Sequence, residues 1–483
     1  DRSAPITFDD SYSRLSERFH QSQPLQPVQN PALIEINPSL AAALSIDEQW
    51  LTSEEALGIF SGNTLPEGAT PIATVYAGYQ FGHWNPQLGD GRALLLGEIL
   101  TEENRFDLQL KGSGPTAYSR GGDGRSPLGP VIREYIVSEA MAALGVPTTR
   151  ALAAVATGEQ VYRETAEPGG ILTRVASSHI RFGTFQYFSA SQDLDSLRQL
   201  ADYALARHYP EAEDEPSPYL GLLDAVIAKF ARLIAQWQNL GFIHGVMNTD
   251  NMLICGETVD YGPCAFMDTF KQSTVYSAID QQGRYAYQNQ PSIAHWNLMT
   301  LAQALLPLID SNEEAAIEAA KASLETFPKL FERAFTDLGA AKLGLTPSSR
   351  SAQLLTEFLT LLEQQELDYS LSFSGLKDRV VPKVIADDPS EITAWAEHWR
   401  QALLAELSVE EAKARLSASN PVIIPRNHHI EFAIQAAYRD HDFEPFKALN
   451  AAVTDPYNEA LATSVFASAP ADSERVQRTF CGT

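Results

Sequence analysis

Three cysteines in 483 residues are too few to staple a secreted scaffold, and their spacing matches no zinc site. The expected compartment is therefore reducing. No apolar run approaches the ~18 residues that a membrane-spanning helix requires. The opening stretch DRSAPITFDDSYSRL lacks the basic start and apolar core of a secretory leader. Positive charge is also scarce: 35 Lys and Arg stand against 61 Asp and Glu, a net charge of −26. That balance argues against nucleic acid or an anionic membrane as partner over most of the surface. A phosphate-bearing ligand would need a local concentration of Arg and Lys. What is present is ordinary globular material, 44% hydrophobic and 20% charged, in a chain long enough for two or three domains and a sizeable core.

Residues 1–60 read as irregular, with a short helical stretch near Asp47–Phe60. A Gly-rich segment, GYQFGHWNPQLGDGR, then leads into an apolar run, Ala93–Leu100, that predicts a strand. After the polar turn Thr101–Arg105, residues Phe106–Lys111 alternate, with Asp107, Gln109 and Lys111 on one face and Phe106, Leu108 and Leu110 on the other. This predicts a half-buried strand paired with the first as a hairpin. Ser126-Pro127 reads as an N-cap and first helical residue. The helix it opens carries Ile132, Tyr135, Ile136, Ala140 and Ala143 on one stripe and stops at Gly145-Val146-Pro147. Strands follow at Ala151–Ala156, Gln160–Arg163 and Gly170–Ala176.

Beyond this the chain turns helical. Leu194–His208 and Leu220–Leu240 are expected helices, the second with Leu223, Val226, Ile227, Phe230, Leu233, Ile234 and Trp237 at core-facing spacing. Further helices are expected near 293–309, 312–336, 351–366, 390–416 and 428–449.

Four pieces carry chemistry, and their order gives them weight. Gly89-Asp90-Gly91-Arg92 precedes a strand and could bring backbone N–H groups and a cation to phosphate, although alone such a tripeptide is an ordinary turn. Lys111 ends a strand and Glu134 sits on the next helix, beside its apolar stripe. Protein kinases clamp a strand lysine in this way so that it faces ATP phosphates. The third piece follows the long helix: His244-Gly245-Val246-Met247-Asn248-Thr249-Asp250-Asn251. It keeps the His and Asn of the kinase loop H-R-D-x-x-x-x-N at their offset, but Val246 fills the slot of the aspartate and a carboxylate appears instead at Asp250. The predicted short β pair Met252–Cys255 and Thr258–Val259 leads to the fourth piece, Asp260-Tyr261-Gly262, which matches the kinase metal-binding triplet. Asp123-Gly124, Arg174 and Arg181 lie in the same half of the chain as Lys111, and each arginine could equally belong to a surface ion pair.

The expected fold is α+β and bilobal, like a protein kinase. It has a small, mostly β N-lobe with one key helix (61–188), a large helical C-lobe (189–450), and extensions at 1–60 and 451–483.

The blocks YAGYQFGHWNPQLGDGRALLLGE, LKGSGPTAYSRGGDGRSPLGPVIREYIVSEAMAALGVPTTRAL, HGVMNTDNMLICGETVDYGP, GRYAYQNQPSIAHWNLMTLAQALLPL and IPRNHHIE resemble the selenoprotein O family. The resemblance implies a kinase-fold protein that binds ATP in a flipped orientation and transfers AMP to Ser, Thr or Tyr hydroxyls of proteins. It implies nucleotide contacts from Gly89, Gly91, Arg92, Lys111, Asp123, Gly124, Arg174 and Arg181. Glu134 would pair with Lys111, Asn251 and Asp260 would hold Mg²⁺ or Mn²⁺, and Asp250 would accept the proton. It further implies a redox role for Cys481 near the C-terminus, with Cys264 the nearest cysteine after Asp260. The site of action would be a bacterial cytoplasm, or a mitochondrion in a eukaryote. Two other readings of the same residues stay open: a conventional kinase with Asp250 as substitute base, and a non-catalytic ATP-binding scaffold.

Overall fold

The computed structural model describes residues 6–480. It is mixed α/β, with one large antiparallel sheet and many helices. Along the sheet the strands run His20–Ser22, Ile72–Thr74, Ala93–Leu100, Arg105–Lys111, Ala166–Ala176, Arg150–Tyr162, Ala32–Ile36. Phe8–Asp9 and Ser126–Pro127 are added at the sides. Ala93–Leu100 begins and ends where its apolar run does. The strands expected at Ala151–Ala156 and Gln160–Arg163 are one strand, Arg150–Tyr162, interrupted by a bulge between Ala156 and Gln160 where Gly158 has φ +73°.

Residues 6–60 are more ordered than their composition suggests. They supply three strands, and their short helices pack Leu40, Leu44, Leu51, Ile59 and Phe60 onto Leu94, Leu96, Leu108, Leu110, Val155 and Ile171. That layer covers the outer face of the sheet. The inner face receives the helix Leu128–Ala143. Both faces of Arg105–Lys111 are therefore covered, and the half-buried expectation is corrected: Gln109 is as fully buried as Leu108. A buried polar face persists only where its groups are paired: Asp107 is held by Arg207 and His179, and the partners of Gln109 and Lys111 form the site described below.

Ser126-Pro127 does not open the helix as N-cap and first residue. It pairs with Gly169–Gly170, and the helix begins at Leu128. The helix expected over 312–336 is two, Glu313–Leu324 and Thr326–Lys342. Pro328 explains the break, because it has no N–H to donate and its ring clashes with the carbonyl four residues back. Ser408, capping a new helix with Glu411, splits 390–416, and His441 in the left-handed region splits 428–449.

The long helix Pro218–Leu240 ends on Gly241, which takes φ +71° as the helix stop requires. Phe242–Ile243 then pairs with Ala265–Phe266, so residues 244–264 form a loop held at both ends by a two-stranded ribbon. Met252–Cys255 and Thr258–Val259 do not pair with each other as expected. Leu253 bridges Arg181 and Thr258 bridges Thr148. Ile254 donates to the Ile180 carbonyl and Phe182 to that of Met252. This loop is therefore tied to the sheet half of the molecule, and a cleft forms between them.

Candidate active site

The cleft, of about 410 Å³, collects Gly89, Gly91, Arg92, Lys111, Asp123, Gly124, Glu134, Arg174, Arg181, Asp250, Asn251 and Asp260 along one wall or another. Every nucleotide, metal and proton-accepting candidate named from the sequence lines it. Cys264 is buried outside the lining, and no disulfide joins the described cysteines Cys255 and Cys264. Cys481 lies outside the described residues. The chain nonetheless runs past this place, since the Thr479 hydroxyl donates to the Pro263 carbonyl at 2.6 Å.

At the floor of the cleft, neighbouring strands present one charged face. Arg174 lies opposite Gln109 and Leu172 opposite Lys111, and directly paired residues share a face. Lys111 Nζ reaches Glu134 Oε1 and Asp260 Oδ1, both at 3.3 Å. The Arg174 guanidinium donates to Asp260 Oδ1 at 2.7 Å, to Glu134 Oε1 at 3.2 Å and, by two nitrogens, to Gln109 Oε1. Arg181 donates to Asp260 Oδ2 and to the Asp250 carbonyl, each at 2.6 Å, and lies over the Tyr76 ring. Three cations thus converge on two carboxylates, with Arg92 close enough to press on Lys111 electrostatically. The excess is positive, which suits a polyanion in an otherwise acidic protein.

These contacts set the ionisation of each group. Burial would raise the pKa of Asp260, but Arg181, Lys111 and Arg174 override it and hold the carboxyl well below its ordinary range. Burial pushes Lys111 down, against the pull of Glu134 and Asp260. Asp260 itself has φ +60°, a left-handed backbone that costs a non-glycine residue about 1–2 kcal/mol. Its surroundings hold it there.

Across the cleft, His244 fixes the loop. Its Nε2 faces the Val259 carbonyl at 2.7 Å, so that nitrogen carries the proton, and Nδ1 accepts from the Val246 N–H at 3.3 Å. The ring stacks on Trp237. Val246 contributes through its backbone: its carbonyl accepts from Asn251 Nδ2 at 2.9 Å, which leaves the amide oxygen of Asn251 as the group to offer elsewhere.

Asp250 is buried and differs from Asp260 in one decisive respect. Oδ2 receives only a long 3.4 Å contact from Gln80, and Oδ1 has no partner. Burial raises its pKa to about 6, with Arg181 opposing. A carboxylate so weakly supported by donors, poised near neutrality, is suited to take a proton. Gly78 makes room for it, since a Cβ there would sit 2.5 Å from Asp250 Oδ1. Gly78→Ala is accordingly expected to lower turnover roughly 10–100-fold by displacing Asp250, with nucleotide affinity unchanged by titration calorimetry.

Gly89 and Gly91 have a nearer reason to be glycine than approach to phosphate. A Cβ at Gly89 would lie 2.5 Å from the Tyr118 ring, and one at Gly91 would lie 3.0 Å from the Tyr118 carbonyl. Asp123 stands at the outer rim, paired with Arg163 at 2.9 Å. Gln109, Gln80, Tyr76 and Arg163 escaped the sequence reading. Only Gln109 had a signal there, being two positions from Lys111 on the same strand face.

Among the described residues, no three His, Cys, Asp or Glu side chains gather as a metal site. The groups that would hold a hard divalent cation are the freed amide oxygen of Asn251 and the Asp260 carboxylate, whose two oxygens are engaged here by Lys111, Arg174 and Arg181 and would have to be shared with it.

Proteins similar to this chain over almost their whole length bear the name protein nucleotidyltransferase YdiU. The relative from Rhodopseudomonas palustris (strain BisB5) is 51% identical over 486 residues, covering 99% of both chains. That from Nitrobacter hamburgensis is 50% identical over 490 residues, covering 99% of this chain and 97% of its own. That from Geobacillus kaustophilus is 50% identical over 479 residues, covering 99% of each. The profile of the family described as protein adenylyltransferase SelO matches residues 3–454. The chain belongs to the SelO family.

Proposed function

We propose that this protein transfers AMP from ATP to Ser, Thr or Tyr hydroxyls of other proteins, on a two-lobed kinase-like frame whose lobes are residues 61–188 and 189–450. The acceptor oxygen attacks the α-phosphorus, the bond from that phosphorus to the bridging oxygen of the β-phosphate breaks, and pyrophosphate leaves. The hydroxyl proton passes to Asp250. One observation carries this reading. The cations are massed deep at Lys111, Arg174 and Arg181, while on the loop across the cleft Asp250 keeps an unpartnered carboxylate oxygen and Val246 occupies the place of a kinase's base.

Deep cations suit the β- and γ-phosphates of a nucleotide bound the opposite way round from a kinase's, leaving the α-phosphate toward Asp250. Mg²⁺ or Mn²⁺ at Asn251 and Asp260 would neutralise charge developing on the transferred group. A protein that merely bound ATP would gain nothing from the cost of burying Asp250 with one oxygen unpartnered. The bacterial relatives favour a bacterial cytoplasm as the place of action.

ATP labelled at the α- or the γ-phosphorus separates the alternatives. Label from the α position is expected in protein, and none from γ. Label from γ alone would make the protein a conventional kinase with Asp250 as base, and label from neither would leave an ATP-binding scaffold.

A further inference from the structure

The hairpin Gly78–Gln80 with His83–Asn85 lies directly over Asp250. One edge of it is consumed in holding the loop: Tyr79 donates its N–H to Thr249 Oγ1 at 2.8 Å, Phe81 its N–H to Asn248 Oδ1 at 3.0 Å, and Gln80 its amide to Asp250. The other edge, His83–Asn85, has no strand beside it among the described residues, and His83 and Trp84 are exposed. The Tyr79 ring lies between two tryptophans, 5.0 Å from Trp84 and 5.1 Å from Trp296. Against them rests Arg284, its guanidinium 4.9 Å over the Trp296 ring and packed on Gly82 at the hairpin tip. No carboxylate lies within 4.0 Å of Arg284 among the described residues, and its Nε is buried without a partner. The nucleotide cleft uses none of Trp84, Arg284 and Trp296.

We propose that this platform is where the acceptor protein docks: an extended segment pairs along the edge His83–Asn85, stacks on Trp84, and places an acidic residue flanking its target hydroxyl on Arg284. The inference rests on the protein-modifying reading above and adds what the acceptor must look like. Open strand edges recognise extended peptides through backbone hydrogen bonds, exposed aromatics supply area at low entropic cost, and an arginine with no carboxylate partner selects one. The platform begins at Gln80, which touches Asp250, so a segment docked on it brings its hydroxyl to the proton acceptor. In a chain of net charge −26, Arg284 sets a positive charge beside the hairpin, where an acidic segment would meet it.

The test uses full-length protein, Mg²⁺, α-labelled ATP and two sets of short synthetic peptides. Each peptide carries one central Ser, Thr or Tyr, flanked by Glu in one set and by Lys in the other. Wild type is expected to label the Glu set about five- to tenfold faster. Arg284→Gln should erase that preference and Arg284→Lys should keep it. Trp84→Ala, at a site 39% exposed, should raise the peptide KM severalfold with little change in kcat, and ATP affinity by calorimetry should stay at the wild-type value in all three. Equal labelling of the two sets by wild type, a preference that survives Arg284→Gln, or an unchanged peptide KM in Trp84→Ala would overturn the proposal. Label in the protein itself but in neither peptide set would overturn it too, and would leave the transfer reading intact. Label nowhere would remove the transfer reading and the docking site together.

Discussion

Asp260→Asn is expected to abolish transfer of α-label to protein, by at least about 10³-fold, and also to lower the thermal stability of the nucleotide-free protein. Both effects come from one carboxylate. It is the meeting point of Lys111, Arg174 and Arg181, so neutralising it leaves buried guanidinium groups short of a counter-charge. Removing one partner of a buried pair costs about 3–5 kcal/mol. The cost here falls toward ~2–3 kcal/mol, because the Asp260 side chain is 23% exposed and Glu134 still answers Arg174. Asparagine is the sharper variant than alanine, since it tolerates the left-handed backbone at this position. ATP measured in EDTA should bind the variant no more weakly than wild type, as its phosphates inherit the released arginines. Wild-type turnover in Asp260→Asn would remove this residue from the mechanism.

Asp250→Asn should behave in the opposite way on stability. Transfer falls by about 10²–10⁴-fold, the usual contribution of a positioned proton acceptor, yet the folded protein becomes more stable at neutral pH. The sign follows from a pKa raised from 3.8 to about 6. Folding then favours the protonated carboxyl. Its contribution is fully present below pH 3.8 and is lost as pH rises toward 6, so ionised Asp250 weakens the wild type above that. Two pKa units correspond to at most about 3 kcal/mol. Thermal melts of the two proteins should therefore coincide near pH 4 and diverge by pH 7, with the variant higher. Wild-type transfer should lose half its rate on the acid side near pH 6, a limb that the variant lacks. Identical melts at pH 7 would mean that Asp250 carries no burial penalty.

Much of this site could be read along the chain, because local periodicity is written locally. Ala93–Leu100 and Leu194–His208 stand where their patterns put them. Errors gathered where a local rule met a distant partner. Ser126-Pro127 looks like a helix start until Gly169–Gly170 claims it as a strand, and 252–259 looks like a hairpin until Arg181 and Thr148 take its two halves. The short strands of residues 1–60 carry almost no periodic signal, being two to five residues long, and exist because the sheet offers them an edge.

The order of Lys111, Glu134, His244, Asn251 and Asp260, the valine at 246 and the acidic background were all present in the residues alone. They pointed to a nucleotide chemistry, and the family resemblance added the expectation that Asp250 accepts the proton. What the residues could not say is which charges meet. Lys111 and Asp260 are 149 positions apart, and a contact at that separation is set by the packing of everything between them. Nor could they say that Asp250 is starved of donors while Asp260 is saturated with them. Both are aspartates on one loop. Burial and neighbours, which arise only when the chain closes on itself, send their pKa values in opposite directions.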